Sequence, residues 1–200
     1  MAVVKHKDQR VGVFIDIQNL YHSAKNIYNA RVNFKNLLTE AVGRRKLIRA
    51  VAYVVKSEGV LSDASGEKAQ FGEASFFEAL ERSGIELRVK DIQVFHSGSK
   101  KADWDVGMAV DAIRMTDFLD AVVLATGDGD FIPLVEYLQS RGRQVEVMAF
   151  GKSASGKLKE AVDLFTDLGE DSRFLIRIGG NAARRRTRGS KDQGVHDEGL

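Results

Sequence analysis

Apolar residues recur along this chain in two rhythms. Short β-branched runs alternate with longer segments in which apolar positions return every three or four residues, the pattern of βαβ crossovers around a parallel sheet. Residues 11–15 are apolar without alternation, so they read as a strand buried on both faces. A helix is predicted from Leu20. Asn33 is placed to cap a second helix through Val42, in which Phe34, Leu37, Leu38 and Ala41 share one face. Residues 48–55 read as a second apolar strand, followed at 56–66 by a Gly/Ser/Asp-rich loop of turn composition, a candidate lid. A helix over 68–82 buries Phe71, Ala74, Phe77 and Leu80 and ends at Gly84, where a left-handed residue is wanted. Strand character returns at 85–95, and a helix opens at Ala102 or Asp103. A third strongly apolar strand covers 121–125. A helix over 131–141 tolerates Pro133 in its first turn and stops at Gly142. A strand at 145–150, a helix near 157–163 and a short strand around 174–178 complete the pattern. The chain is therefore expected to be one α/β domain over 11–178, with an extension at 1–10. A basic tail at 179–200, carrying Arg184, Arg185 and Arg186, is expected to be disordered.

A length of 200 residues suits one well-cored domain. The absence of cysteine excludes disulfides, thiolate nucleophiles and cysteine-based zinc sites. No stretch approaches the roughly 20 apolar residues of a membrane helix, and residues 1–10 are polar, unlike a signal peptide. A cytoplasmic location with no membrane partner is the expectation. A formal net charge of +2 means that any affinity for nucleic acid depends on where the basic residues lie.

Open parallel sheets bind ligands beyond the carboxyl ends of their strands. Two such places carry acids here: Asp16 directly follows the first strand, and Asp128 and Asp130 follow the strand at 121–125 through Thr126 and Gly127. If those strands are neighbours, the carboxylates converge, and Asp105, at the start of the preceding helix, projects to the same edge. Crowded carboxylates raise one another's proton affinity and destabilise the fold unless a cation compensates. An oxygen-only donor set without cysteine or a suitably spaced histidine pair favours Mg²⁺ or Mn²⁺ over Zn²⁺. That chemistry suits phosphodiester hydrolysis without a covalent intermediate.

Each acid also has a structural reading. Asp16 with Asn19 suits a polar turn and a helix N-cap, and Asp130 suits the cap of the helix opening at Phe131, a role Asp128 has less need to fill. Asp103 and Asp105 both suit a helix N-terminus. Asp111 lies about 120° round the helix from Asp105, so it is expected to support the site or the fold and not to share an ion with Asp105. A calcium-loop reading of Asp128-Gly129-Asp130 fails because Ile132 and Gln139 occupy positions that need ligands. A phosphatase or nucleotide-binding reading lacks both a Gly-rich phosphate loop and a second acid in Asp16-Ile17-Gln18.

The ordered trio Val11-Gly12-Val13-Phe14-Ile15-Asp16-Ile17-Gln18-Asn19, Asp105-Val106-Gly107-Met108-Ala109-Val110-Asp111-Ala112 and Thr126-Gly127-Asp128-Gly129-Asp130-Phe131 resembles the NYN family, specifically its LabA-like branch. The likeness runs from about residue 11 to residue 168, and Gly142-Arg143-Gln144-Val145-Glu146-Val147 is similar to the family's strand after the acidic loop. The resemblance implies a PIN-like Rossmannoid three-layer sandwich with a mainly parallel central sheet, whose acids bind Mg²⁺ or Mn²⁺ to cleave RNA. Asp16 matches the acid ending the first strand, Asn19 the polar residue one turn later, Asp105 the helix acid, and Asp128 and Asp130 the acidic loop. Thr126 would hydrogen-bond a ligand or the loop. PIN-like nucleases often carry a further acid between the second and third strands; Glu73 and Glu78 are candidates that no motif distinguishes. The alternative implied function is a catalytically weak or inactive RNA-binding or regulatory protein that retains the pocket. PIN-like relatives commonly dimerise, so a homodimer is also an expectation.

An RNA substrate needs phosphate contacts, and Lys100 and Lys101 stand just ahead of Asp105. Arg44-Arg45-Lys46 reads as a solvated turn at the opposite sheet edge. The tail arginines suit either an electrostatic arm or a solubilising segment. Trp104, the only tryptophan, suits base stacking or a partly buried staple. His96 reads as a general acid or a surface residue, and Phe76 and Phe77 as core or subunit interface.

Overall fold

β1 (Arg10–Asp16), β3 (Lys46–Lys56), β7 (Ala121–Ala125) and β8 (Gln144–Ala149) carry the apolar runs that form the middle of the sheet. The computed structural model describes residues 3–56, 67–91, 93–94, 100–101 and 104–178. Helices α1 (Ile17–Tyr28), α2 (Phe34–Val42) and α3 (Glu67–Arg82) cover one face, and α4 (Asp105–Met115), α5 (Ile132–Ser140) and α6 (Gly156–Ala161) the other. The central sheet has six strands in the order β4 (Glu86–Asp91), β3, β1, β7, β8, β9 (Leu164–Asp167), and every neighbouring pair is parallel. This is the doubly wound order, with its reversal point between β1 and β7. Two antiparallel pairs flank it: β2 (Ala30–Val32) with β10 (Leu175–Arg177), and β5 (Gln93–Val94) with β6 (Lys100–Lys101).

The two layers of core follow from strand alternation. Val11, Val13 and Ile15 of β1 pack with Leu20, Leu37 and Leu80 on the α1–α3 side, while Phe14 packs with Met108, Val135 and Leu158 on the α4–α6 side. Asn33 caps α2 by accepting from the Asn36 amide at 3.1 Å, as its sequence position predicts. Gly84 and Gly142, at φ 81° and 73°, end α3 and α5 in the left-handed conformation. No described helix is long and apolar enough to cross a membrane.

The observed elements differ from the sequence reading in several places, and neither β2 nor β6 is anticipated by it. α1 begins at Ile17, directly after β1, because Asp16 caps it. The strand expected at 85–95 is β4 followed by the separate short β5. The strand near residue 175 exists, but pairs with β2 and not with the central sheet. β9 is an edge strand whose four residues are all half-buried, which leaves no alternating signature to read.

Arg45 also departs from expectation. It is buried, not solvated, and its guanidinium pairs with Glu146 on β8 while donating to the Ala41 and Val42 carbonyls at 2.5 and 3.3 Å. Glu146 lies on the α1–α3 face, in register with Val123, so its carboxylate is carried under the helices and needs a cation there. Lys5 adds a second contact to it at 2.9 Å. The pair fastens the α2–β3 turn to the far half of the sheet. Arg45→Ala is expected to cost about 3–5 kcal/mol in urea denaturation, because Glu146 would remain buried with a partner removed. Arg45→Met with Glu146→Leu is expected to recover most of that loss; a single variant as stable as the parent would show the pair to be unimportant.

Candidate functional site

The acids that follow β1 and β7 meet because those strands are neighbours. Ile15 is in register with Ala125, so Asp16 and Thr126 leave the sheet side by side at its carboxyl edge. Asp16 serves as the N-cap of α1, accepting the Asn19 amide at 3.0 Å, and its other oxygen accepts the Thr126 hydroxyl at 3.4 Å. Thr126 is fully buried and also accepts the Asp128 amide at 3.2 Å. From α1, the Asn19 side-chain oxygen accepts the Gly127 amide at 2.8 Å. The loop after β7 is thus stitched to the start of α1 by Asn19 and Asp16 together.

Beyond Gly127 the chain makes a short 3₁₀ turn, Gly129–Phe131, before α5. Asp128, not Asp130, caps it by accepting the Asp130 amide at 3.0 Å, reversing the sequence expectation. The reason is that the helical hydrogen bonding starts at Gly129, which makes Asp128 the residue before the first turn. Gly127 is needed for this path: a Cβ would lie 3.0 Å from the Ala154 Cα. Asp105 arrives from another direction, as the first residue of α4.

The outcome is a cluster in which carboxylate oxygens of Asp105, Asp128 and Asp130 all lie within 4.8 Å of one another. Asp16 lies beside it, and burial pushes its carboxyl up to about 6, with the charges of Asp105 and Asp128 adding to the rise. The Asn19 amide and the Thr126 hydroxyl oppose that rise without cancelling it. The donors are oxygens only, graded from half-buried to exposed, which fits a hard divalent cation that keeps part of its hydration shell.

The other sequence candidates fall elsewhere. Asp111 accepts the Tyr53 hydroxyl at 3.0 Å and lies 3.6 Å from the Arg88 guanidinium, so it serves the junction of α4 with β3 and β4. Glu78 pairs with Arg82 along exposed α3. Phe76 and Phe77 pack at the edge of the α1–α3 core, with Phe76 against Phe34. Lys100 and Lys101 form β6, but their side chains lie outside the described residues, as do the loop at 57–66, the side chain of Glu73, His96, Asp103 and the tail from residue 179. What the sequence did not disclose is that Thr126, expected to hydrogen-bond a ligand or the loop, also bridges that loop to Asp16.

Fold and cluster together define a PIN-like α/β domain with acids at the reversal point of its sheet. The family model for the NYN domain matches residues 10–169, and the chain belongs to that family. It is 23% identical over 178 residues to the low amplitude and bright protein LabA of Synechococcus elongatus, an alignment spanning 84% of this chain and 89% of that one. A crystal structure of a protein of unknown function from Vibrio parahaemolyticus superposes with a TM-score of 0.73 at 28% identity. That match covers 87% of this chain and all of the other.

Because folded Asp16 holds its proton more tightly than the unfolded chain does, the cation-free protein should lose stability as pH rises from about 4 through about 6, then level off. Asp16→Asn keeps an N-capping side chain but cannot ionise. In chelator, the variant should gain on the parent by on the order of 2–3 kcal/mol between pH 4 and pH 7.5. Identical pH profiles of the urea midpoint would show that no such strain exists.

Proposed function

We propose that this protein is a divalent-metal-dependent ribonuclease whose site is the carboxylate cluster at the β1–β7 edge. The observation that carries the reading is the approach of Asp105, Asp128 and Asp130 within 4.8 Å, beside an Asp16 whose carboxyl is raised by its surroundings. Like charges so placed repel one another, and a hard cation is the partner that relieves all of them at once. Membership of the NYN family supports a nuclease-type activity and an RNA substrate. Mg²⁺ or Mn²⁺ would be held by Asp105, Asp128 and Asp130 with Asp16 alongside; when bound, such an ion supplies positive charge to a phosphate and makes water a stronger nucleophile near neutral pH.

The chain's own part is positioning. Asp128 is fixed from both sides: its amide is tied to Thr126, and its side chain holds the Asp130 amide. Asn19 holds the loop at Gly127 without reaching the cluster through its own carboxamide oxygen, which is already engaged. With an ion in place, Asp16 would be ionised and would serve as the proton acceptor for water at the site, held in position by the Asn19 amide and the Thr126 hydroxyl.

Single-stranded RNA should be cut in Mn²⁺ or Mg²⁺ and left intact in chelator. Asp128→Asn should lower the rate by about 100-fold or more, and Asn19→Ala by about 10-fold through misplacement of the loop. Cleavage indifferent to both chelator and Asp128→Asn would refute the reading. Tight RNA binding without turnover in any divalent ion would replace it with a binding or regulatory role.

A further inference from the structure

Helix α4 is apolar on both of its long faces. Met108 and Ala112 are buried against the sheet, and half-buried Trp104, just before the helix, donates its indole N–H to the Val54 carbonyl on β3 at 2.9 Å, so the inner side of α4 is fixed. The outer side carries Val106, Val110 and Ile113. Spaced by four and then three residues, they stack in one stripe, and Val106 is left 74% exposed. Phe118, in the 3₁₀ turn Thr116–Phe118 that follows, extends the apolar surface and is 62% exposed. Tyr137 of α5 flanks it: the Arg141 guanidinium reaches Asp117 at 3.1 Å, and exposed Tyr137 lies one turn before Arg141.

Helix formation does not call for these residues. β-Branched side chains are mediocre helix formers, and at exposed positions Lys, Glu or Arg would serve better. A single apolar residue on a surface needs no explanation, but five large ones on adjoining elements do. Their exposed parts amount to roughly 500 Å² per copy, a large share of the roughly 800 Å² that a standard-sized interface buries on each partner. Beside Ile113 and Tyr137 stand Arg114 and Glu136, both exposed, and neither has an ion-pair partner among the described residues. The surface is thus nearly neutral and offers both signs of charge, which suits a copy of itself better than a polyanion. Residues 179–200 carry only two large apolar side chains, Val195 and Leu200, too little to fill it.

We infer that a second copy of the chain docks on this face, forming a two-fold dimer in which the two α4 helices cross antiparallel. The stripe suits such a contact because it is nearly symmetric about Val110. Turned end for end, α4 sets Val110 against the partner's Val110 and Val106 against the partner's Ile113. Phe118 and Tyr137 widen the apolar contact, and Arg114 and Glu136 supply its polar rim. Asp105 opens the same helix, so the dimer braces the element that delivers that carboxylate, and the antiparallel crossing puts the two Asp105 residues at opposite ends of the pair. The dimer forms whether or not the acidic cluster cleaves RNA.

Sedimentation equilibrium of the full chain from about 1 to about 100 μM should show a reversible monomer–dimer equilibrium. Val110→Glu brings two new carboxylates together at the axis and should raise the dissociation constant by about 100-fold or more, and Phe118→Ser should raise it by about 10-fold, with far-UV circular dichroism unchanged in each. Ile176→Glu, at an exposed apolar residue of β10 on the α1–α3 side of the fold, should leave it unchanged. Because the chain has no cysteine, Val110→Cys can be joined to its symmetry mate by a short bismaleimide, and Ile176→Cys should not be. Phe118→Ser and the crosslink decide the matter if Val110→Glu fails to fold. A monomer at the highest concentration, a dimer indifferent to both Val110→Glu and Phe118→Ser, or equal crosslinking at the two positions would each overturn the interface. A monomer in which Val110→Cys resists N-ethylmaleimide would show the face covered by the chain itself, and would overturn it as well.

Discussion

The parallel pairing of β1 with β7 is the constraint on which the acidic site depends. Asp16 and the Thr126–Asp130 loop are separated by more than a hundred residues and belong to different halves of the doubly wound sheet. They meet only because Ile15 lies opposite Ala125, so that both strands release their chains at one edge. Register matters as much as adjacency. Along β1 the side chains alternate between two cores, and a slip of one residue would exchange Phe14 with its neighbours between faces and withdraw Asp16 from Thr126. The same packing that makes slippage costly therefore places the carboxylates.

Much of this was legible in the primary structure, for reasons that differ from element to element. β1 and β7 announced themselves as unbroken apolar runs because strands buried on both faces have no reason to alternate. Asn33, Gly84 and Gly142 were legible because helix ends have local chemical requirements that few residues meet. The acids stood out because Asp16 directly follows one apolar run, Asp128 and Asp130 follow another through Thr126 and Gly127, and Asp105 opens a helix. The adjacency of β1 and β7 was not legible, since it depends on which crossovers the chain makes and not on any window of sequence. The β2–β10 pairing joins residues near 31 to residues near 176 and has the same character. Arg45 was misread for a related reason: its burial is imposed by Glu146, a hundred and one residues away.

Charge is distributed over this fold with opposite logic at the two ends of the sheet. At the amino edge Asp120 and Glu146 each have a cation. Asp120 accepts the Arg10 backbone amide at 2.8 Å and its guanidinium at 2.8 and 3.0 Å, which holds its carboxyl down to about 2, and Glu146 is enclosed by Arg45 and Lys5. At the carboxyl edge burial drives the Asp16 carboxyl the other way, to about 6, and the charges of Asp105 and Asp128 add to the rise. One edge thus satisfies its charges internally and anchors the fold, while the other leaves negative potential concentrated in the crevice where doubly wound domains take their ligands.

Such a cluster persists only if its members cannot swing apart, and the structure shows what prevents it. Asp16 cannot leave without uncapping α1, nor Asp128 without freeing the first amide of the turn that leads into α5. Thr126 bridges the two, buried beneath them and hydrogen-bonded to both, while Asn19 ties Gly127 back to α1. Asp16 and Asp128 are therefore each held by the same contact that starts the following helical turn, so relief of the repulsion by moving either would cost helix termini that the core packing requires. A ligand of positive charge relieves it at no such cost. Preorganisation at this site is a consequence of capping: the residues that begin the helices are the residues that gather the charge.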